Sequence, residues 1–187
     1  MKKFEFFLLL GLLCLCPKLS AQHMPTRVFP TPQEIEVTNQ PFISADFRIT
    51  GLKSVDSVAI SFLKEILPFG STKKAIPIKI SFLKDKQAEL QRSGAYRLKI
   101  TDKSISIEIK DDRSLFYAVQ TIKQLVSKTN DGKIKLYPCM ITDYPDVAYR
   151  GTVEGFYGTP WSFDDRIEQL RFYGKIKMNT YIYGPKD

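Results

Sequence analysis

The sequence predicts a mixed α/β chain: an α+β domain of about 120 residues, followed by one βαβ unit of a parallel sheet. Three observations predict it. Across residues 46–137, segments with a two-residue apolar period are interspersed with two segments of helical period. Residues 150–183 then run strand, helix, strand in so short a span that the two strands must lie parallel. The chain has 187 residues, 43% of them hydrophobic, with no internal repeat and no low-complexity tract, which is enough to bury a core.

Taken in order, residues 1–21 read as a targeting segment. Lys2 and Lys3 precede an apolar run over residues 6–15, and Ser20-Ala21 offers small residues before Gln22. The run is too short to span a bilayer. Neither Cys14 nor Cys16 follows the small residue that lipid attachment uses. Export, to the periplasm or outside the cell, is the expectation, with cleavage after Ala21.

Residues 22–43 contain Pro25, Pro30, Pro32 and Pro41, so they should be extended and irregular, with at most a short strand at 35–37. Residues 46–50 read as a strand ended by Gly51. Val55, Val58, Ala59, Phe62, Leu63 and Ile66 share one face of a helix that Pro68 and Gly70 terminate. Residues 76–82 alternate apolar side chains but include Pro77, which suits an edge strand. Residues 95–100 and 104–109 form a hairpin through Thr101-Asp102-Lys103. Asp111 or Asp112 caps a helix with an apolar stripe of Leu115, Ala118, Val119, Ile122 and Leu125. Asn130-Asp131-Gly132 turns the chain into a last strand, 134–137. Ile141-Thr142-Asp143-Tyr144-Pro145 reads as a linker.

Composition excludes several chemistries. Removal of the leader takes Cys14 and Cys16 with it and leaves Cys139 alone, so no internal disulfide can form. The single histidine, His23, falls at the new N-terminus. No His/Cys set has metal-ligand spacing, and no serine or cysteine has a histidine partner in a folded region. The chain has 28 basic and 20 acidic residues; three and one of these lie in the leader, leaving a mature charge of +6. Those lysines are scattered, so a solvated surface is expected and no nucleic-acid partner.

Residues 150–154 form the first strand of the βαβ unit, and Gly155, Gly158 and Pro160 punctuate the loop after it. Ser162 and Asp165 have the spacing of a helix cap. Phe163, Ile167, Leu170 and Tyr173 recur once per turn on an amphipathic helix, with Gly174 near its end. Residues 179–183 are the second strand, stopped by Gly184-Pro185. Parallel α/β folds bind ligands at the carboxyl ends of their strands, so Gly155 and Lys186 are expected on one rim. The adjacent pair Asp164-Asp165 belongs to the helix cap, where negative charge meets the macrodipole. Glu154 stands at the rim as a supporting group and not as an acid.

The words VEGFYGTPW, then the helix, then MNTYIYGPKD resemble the opening of the catalytic barrel of glycoside hydrolase family 84. This is the family of β-N-acetylglucosaminidases that includes O-GlcNAc hydrolases and hyaluronidase-type enzymes. The match runs over residues 149–187. GAYRLKIT, SISIEIK and DDRSLFYAVQTIKQLV, in that order, are similar to the non-catalytic hexosaminidase-like domain that precedes the barrel in families 84 and 20. The resemblance implies three parts: a signal peptide at 1–21, that α+β domain at 22–143, and the incomplete start of a TIM-type (β/α) barrel at 144–187. It implies that the backbone of Gly155 and the ammonium of Lys186 contact hydroxyls of a bound sugar. It also implies a substrate-assisted, retaining hydrolysis of N-acetylglucosamine-containing glycans or glycoproteins, without metal or cofactor. The family's catalytic aspartate pair lies on a later strand beyond Asp187, so no catalytic residue is assigned here and the 187 residues alone are expected to be inactive. Two other readings stand beside it: a fragment of a family 20 β-hexosaminidase, and a non-catalytic carbohydrate-binding or barrel-docking module.

Overall fold

The computed structural model describes residues 28–51, 56–155 and 160–184. The expected leader at 1–21, Gly158 and Lys186 lie outside the described residues. The chain runs β1 (Glu34–Val37), β2 (Phe42–Ser44), β3 (Phe47–Gly51), α1 (Ser57–Ile66), β4 (Ile76–Phe82), β5 (Tyr96–Ile100), β6 (Ile105–Ile109), α2 (Asp112–Leu125), β7 (Ser127–Lys128), β8 (Ile134–Leu136) and β9 (Cys139–Asp143). It continues with β10 (Gly151–Glu154), α3 (Phe163–Lys175) and β11 (Thr180–Tyr183).

The first nine strands form two sheets. A six-stranded mixed sheet has the order β1-β9-β5-β6-β4-β3, with β2-β8-β7 as a small antiparallel sheet beside it. Alternation along the strands sends Ile78 and Ile80, Tyr96 and Leu98, and Ile105, Ile107 and Ile109 to a single face, all of them buried. Helices α1 and α2 pack on each other, and α2 lies on β5 and β6. Together with the sheet, Ala59, Leu63, Leu115, Ala118, Val119 and Ile122 close the core. Both helix starts are fixed by aspartates. Asp56 accepts from the Val58 N–H at 2.9 Å, and Asp111 accepts from the Ser114 N–H at 3.0 Å while its own N–H donates to Ser114 Oγ at 3.1 Å.

Two expectations need correction. Strand β4 is not at an edge; it lies between β6 and β3, parallel to both. Pro77 is tolerated there because of strand parity. The Ile76 N–H donates to Asp46 O on the β3 side, so position 77 faces β6, whose pairing with β4 starts only at Ile78 opposite Ile105. The missing N–H therefore removes no ladder bond. The supposed linker at 141–145 is also strand as far as Asp143. Strand β9 sits inside the sheet between β1 and β5, with Ile141 opposite both Ile35 and Leu98. Pro138 and Pro145 bracket a strand here and do not mark a boundary. Strands β2 and β7 are further elements that the periodicity does not reveal.

The last three elements are the expected βαβ unit, with β10 and β11 parallel and Gly151 opposite Thr180. Gly151 has no alternative, because a Cβ there would sit 1.6 Å from the Thr180 carbonyl oxygen. The helix begins on a capping box: Ser162 Oγ accepts from the Asp165 N–H at 3.1 Å, and Asp165 Oδ2 accepts from the Ser162 N–H at 3.1 Å. The apolar stripe of α3 is only partly covered, since Tyr173 is buried while Leu170 and Phe163 are exposed.

A polar network joins this unit to the sheet domain. Lys177 is 6% exposed, and its Nζ donates to Asp143 Oδ2 at 2.7 Å and to the Tyr96 hydroxyl at 3.0 Å. That hydroxyl lies 2.6 Å from Thr121 Oγ1. Burial pushes the Lys177 ammonium below its usual pKa, and the Asp143 carboxylate opposes the shift. Lys177 also holds a left-handed backbone, φ +62°, which costs a side-chain-bearing residue about 1–2 kcal/mol. Arg150 donates to the Lys177 carbonyl at 3.0 Å and the Tyr117 hydroxyl at 2.8 Å. Asn179 Oδ1 accepts from the Arg150 N–H at 2.9 Å, and its amide donates to Ala148 O at 2.8 Å. The β10–β11 pair is thus fixed at its amino end, which leaves the carboxyl end as the open rim.

Candidate functional site at the carboxyl rim

Register places Glu154 opposite Tyr183, so Gly155 and Gly184 leave their strands side by side. Gly155 is exposed, and a Cβ built on it would meet none of the described residues within 4 Å. Local sterics therefore do not demand glycine, and the residue's distinguishing property at this rim is a bare, approachable backbone. Lys186, its expected companion, lies outside the described residues.

Glu154 ends β10 with a side chain only 6% exposed. Its carboxylate accepts two bonds from one guanidinium, Arg166 Nε at 2.8 Å to Oε2 and Arg166 Nη2 at 2.7 Å to Oε1. The Tyr181 hydroxyl donates to the same Oε2. Arg166 stands in the second turn of α3, and its guanidinium lies 4.7 Å from the centre of the Tyr183 ring. Chiefly through the bond to Arg166, with Tyr181 and the Trp161 N–H adding, Glu154 is held down to a pKa of about 2. A carboxyl so held is ionised at neutral pH and has its oxygens occupied, so it cannot deliver a proton to a leaving group. Asp165 is committed to the cap, where the Ser162 hydroxyl and N–H depress its pKa.

Sequence reasoning brings Glu154 and Gly155 to the rim but misses Arg166, Tyr181 and Tyr183 as their supports. Strand parity was the available signal. Once β10 and β11 pair in register, residues 152 and 154 share a face with 181 and 183. A second concavity, a groove of about 630 Å³, runs between Phe62 and Phe116 on the sheet domain and Ile167 and Leu170 on α3. Its lining carries cations and no carboxylate, so it has no acid for hydrolysis. Among the described residues no group of His, Cys, Asp or Glu is placed to hold a metal, and no helix is long and apolar enough to cross a membrane.

Comparison with known proteins agrees with this two-part layout. Residues 25–144 match the family model described as glycosyl hydrolase family 20, domain 2, and residues 150–187 match that for β-N-acetylglucosaminidase. Protein O-GlcNAcase of Rattus norvegicus is 54% identical over 37 residues, which is 20% of this chain and 4% of that protein. The N,N'-diacetylchitobiase of Vibrio harveyi is 30% identical over 165 residues, 86% of this chain and 18% of the relative. The solved structure of CpGH84B superposes with a TM-score of 0.73 at 30% identity, covering 87% of this chain and 30% of the other. The chain therefore spans less than a third of each of these proteins. With a family 20 domain 2 at residues 25–144 joined directly to a β-N-acetylglucosaminidase segment at 150–187, the chain belongs to the glycoside hydrolases and corresponds to the N-terminal portion of family 84.

Proposed function

We propose that this chain is the N-terminal portion of an exported β-N-acetylglucosaminidase that removes terminal N-acetylglucosamine from glycans or glycoproteins. One observation carries the reading. The segment that matches the β-N-acetylglucosaminidase family model, residues 150–187, is the one that folds as a parallel βαβ unit with a bare glycine backbone at its carboxyl rim. Gly155 and Lys186 hold sugar hydroxyls in this reading, and the sheet domain is the platform on which the first strands rest.

The reaction is substrate-assisted. The carbonyl oxygen of the 2-acetamido group attacks the anomeric carbon as the glycosidic bond breaks, and an acid protonates the departing oxygen. The resulting oxazoline is opened by water, whose proton returns to the same group, so configuration is retained. A second carboxylate orients the acetamido group. Glu154 and Asp165 are both engaged elsewhere, so these two carboxylates are assigned to other parts of the protein. An aqueous lysine, with a pKa of about 10.4, is too weak an acid to replace them.

The test uses the full-length protein with an aryl N-acetyl-β-glucosaminide and an N-acetylglucosamine-type inhibitor. Lys186→Ala should weaken inhibitor binding by roughly 10- to 150-fold, the worth of a hydrogen bond from a charged donor, about 1.5–3 kcal/mol. An unchanged inhibition constant removes Lys186 from the site. Turnover by residues 22–187 alone would overturn the assignment of the acid elsewhere. Mass spectrometry of the secreted protein should find Gln22 at its N-terminus.

A further inference from the structure

We propose that Glu154 is a positioning residue, whose forked ion pair with Arg166 sets the direction in which the Gly155 backbone faces the sugar. The inference rests on the glycosidase reading and deepens it. Glycine is the residue least able to fix its own backbone. Where a glycine peptide has to be aimed at a ligand, neighbouring groups must supply the aim. At this rim the adjacent residue supplies it from three sides. Arg166 reaches Glu154 from α3 across the βα loop, at 2.7 and 2.8 Å. Tyr181 reaches it from β11, and the Tyr183 ring lies under the guanidinium. Two parallel N–H···O bonds fix the carboxylate plane as well as its position, which a lysine partner would not do.

Stability alone does not account for the arrangement. Withdrawing a carboxylate to 6% exposure and its guanidinium to 24% carries a desolvation penalty that the ion pair largely only offsets. What remains as its return is orientation. All the links converge on the strand end that carries Gly155, and none of these groups lines the groove between the helices.

The experiment compares wild type, Glu154→Gln and Tyr181→Phe in the full-length protein. Three readouts are taken: KM and kcat on an aryl N-acetyl-β-glucosaminide, binding of N-acetylglucosamine itself, and exchange of the Trp161 amide, which donates to Glu154. Glu154→Gln should raise KM and the N-acetylglucosamine Kd about tenfold and speed exchange of that amide. The pH profile of kcat should keep its shape, because Glu154 does not titrate in the reaction. Tyr181→Phe, which leaves the ion pair in place, should move the same quantities about threefold and keeps the test open if Glu154→Gln fails to fold. Unchanged exchange or unchanged affinity in folded variants overturns the positioning role. A shifted acid limb of the pH profile overturns it too, by making Glu154 a titrating participant. If wild type itself neither binds N-acetylglucosamine nor turns over the glycoside, the glycosidase reading fails, a result distinct from a wild type that binds and a Glu154→Gln that binds equally well.

Discussion

The sheet domain and the βαβ unit are held together by different means. In the first, Ile78, Leu98, Ile107 and Ile141 are wholly sequestered beneath two helices. In the second, Tyr173 is the one apolar side chain among the described residues to reach comparable burial, while Val153, Ile182 and Phe163 are 64%, 51% and 73% exposed. Hydrophobic burial of about 25 cal/mol per Å² therefore favours the first region far more than the second. The second gets its placement from directional contacts: the Lys177–Asp143 pair, the Arg150 fork and the Asn179 bridge at one end, and the Glu154–Arg166 pair at the other. A core makes a region stable without specifying what it presents, whereas directional contacts specify geometry and contribute little net stability. The region that carries the candidate sugar site relies on the second kind.

The sharpest way to break this contrast is Lys177→Met. It leaves the Asp143 carboxylate buried without its cation, at a cost of about 3–5 kcal/mol. Hydrogen exchange should show β10 and β11 losing protection while β5 and β6 retain theirs. Equal loss in all four strands would mean that the two regions open as one. A smaller perturbation tests the other side. Ile107→Val removes one methylene from the centre of the sheet and should cost about 0.5–1.5 kcal/mol. Chemical denaturation should show that loss across the whole sheet domain, while the exchange of the Trp161 amide stays as it was.

The mildest probe is acid. Because Arg166 holds Glu154 at a pKa of about 2, below its value in an unfolded chain, the pair stabilises the folded rim at all pH values above the ordinary glutamate range. That contribution is lost as pH falls from about 4.5 towards 2. Protection of the Trp161 amide, taken relative to its intrinsic exchange rate at each pH, should fall across that window in wild type, and Glu154→Gln should lack the transition.

How much of this was legible in the sequence follows the same division. Where local chemistry decides the structure, the reading succeeds: the β5–β6 hairpin follows from alternation, α2 from Asp111 and its stripe, and α3 from Ser162 and Asp165. It fails where pairing across the fold decides. Pro77 looks like an edge residue until strand parity shows that its absent N–H faces an unpaired stretch. The stretch Ile141-Thr142-Asp143-Tyr144-Pro145 looks like a linker because its proline breaks regular structure, and only pairing with β1 and β5 makes residues 139–143 a central strand. At the rim, Glu154 and Gly155 were placed by the βαβ pattern, but Arg166 lies 12 residues from its partner. At the opposite end, Lys177 lies 34 residues from Asp143. A lysine in the run Lys175-Ile176-Lys177 gives no sign that one of the two is buried.

Position 177 can also be viewed as a point in sequence space. Its left-handed backbone suits glycine, asparagine or aspartate, whereas the acid it faces calls for a long cation. No standard residue meets both demands, so lysine satisfies the second and leaves the first strained. Each single replacement then trades one defect for another. Glycine relaxes the backbone and strands Asp143, asparagine relaxes the backbone and falls short of the carboxylate, and arginine keeps the charge together with the strained backbone. Such a position has no improving single step. It can change only together with Asp143, and the two residues form one heritable unit although a strand, a helix and two loops separate them.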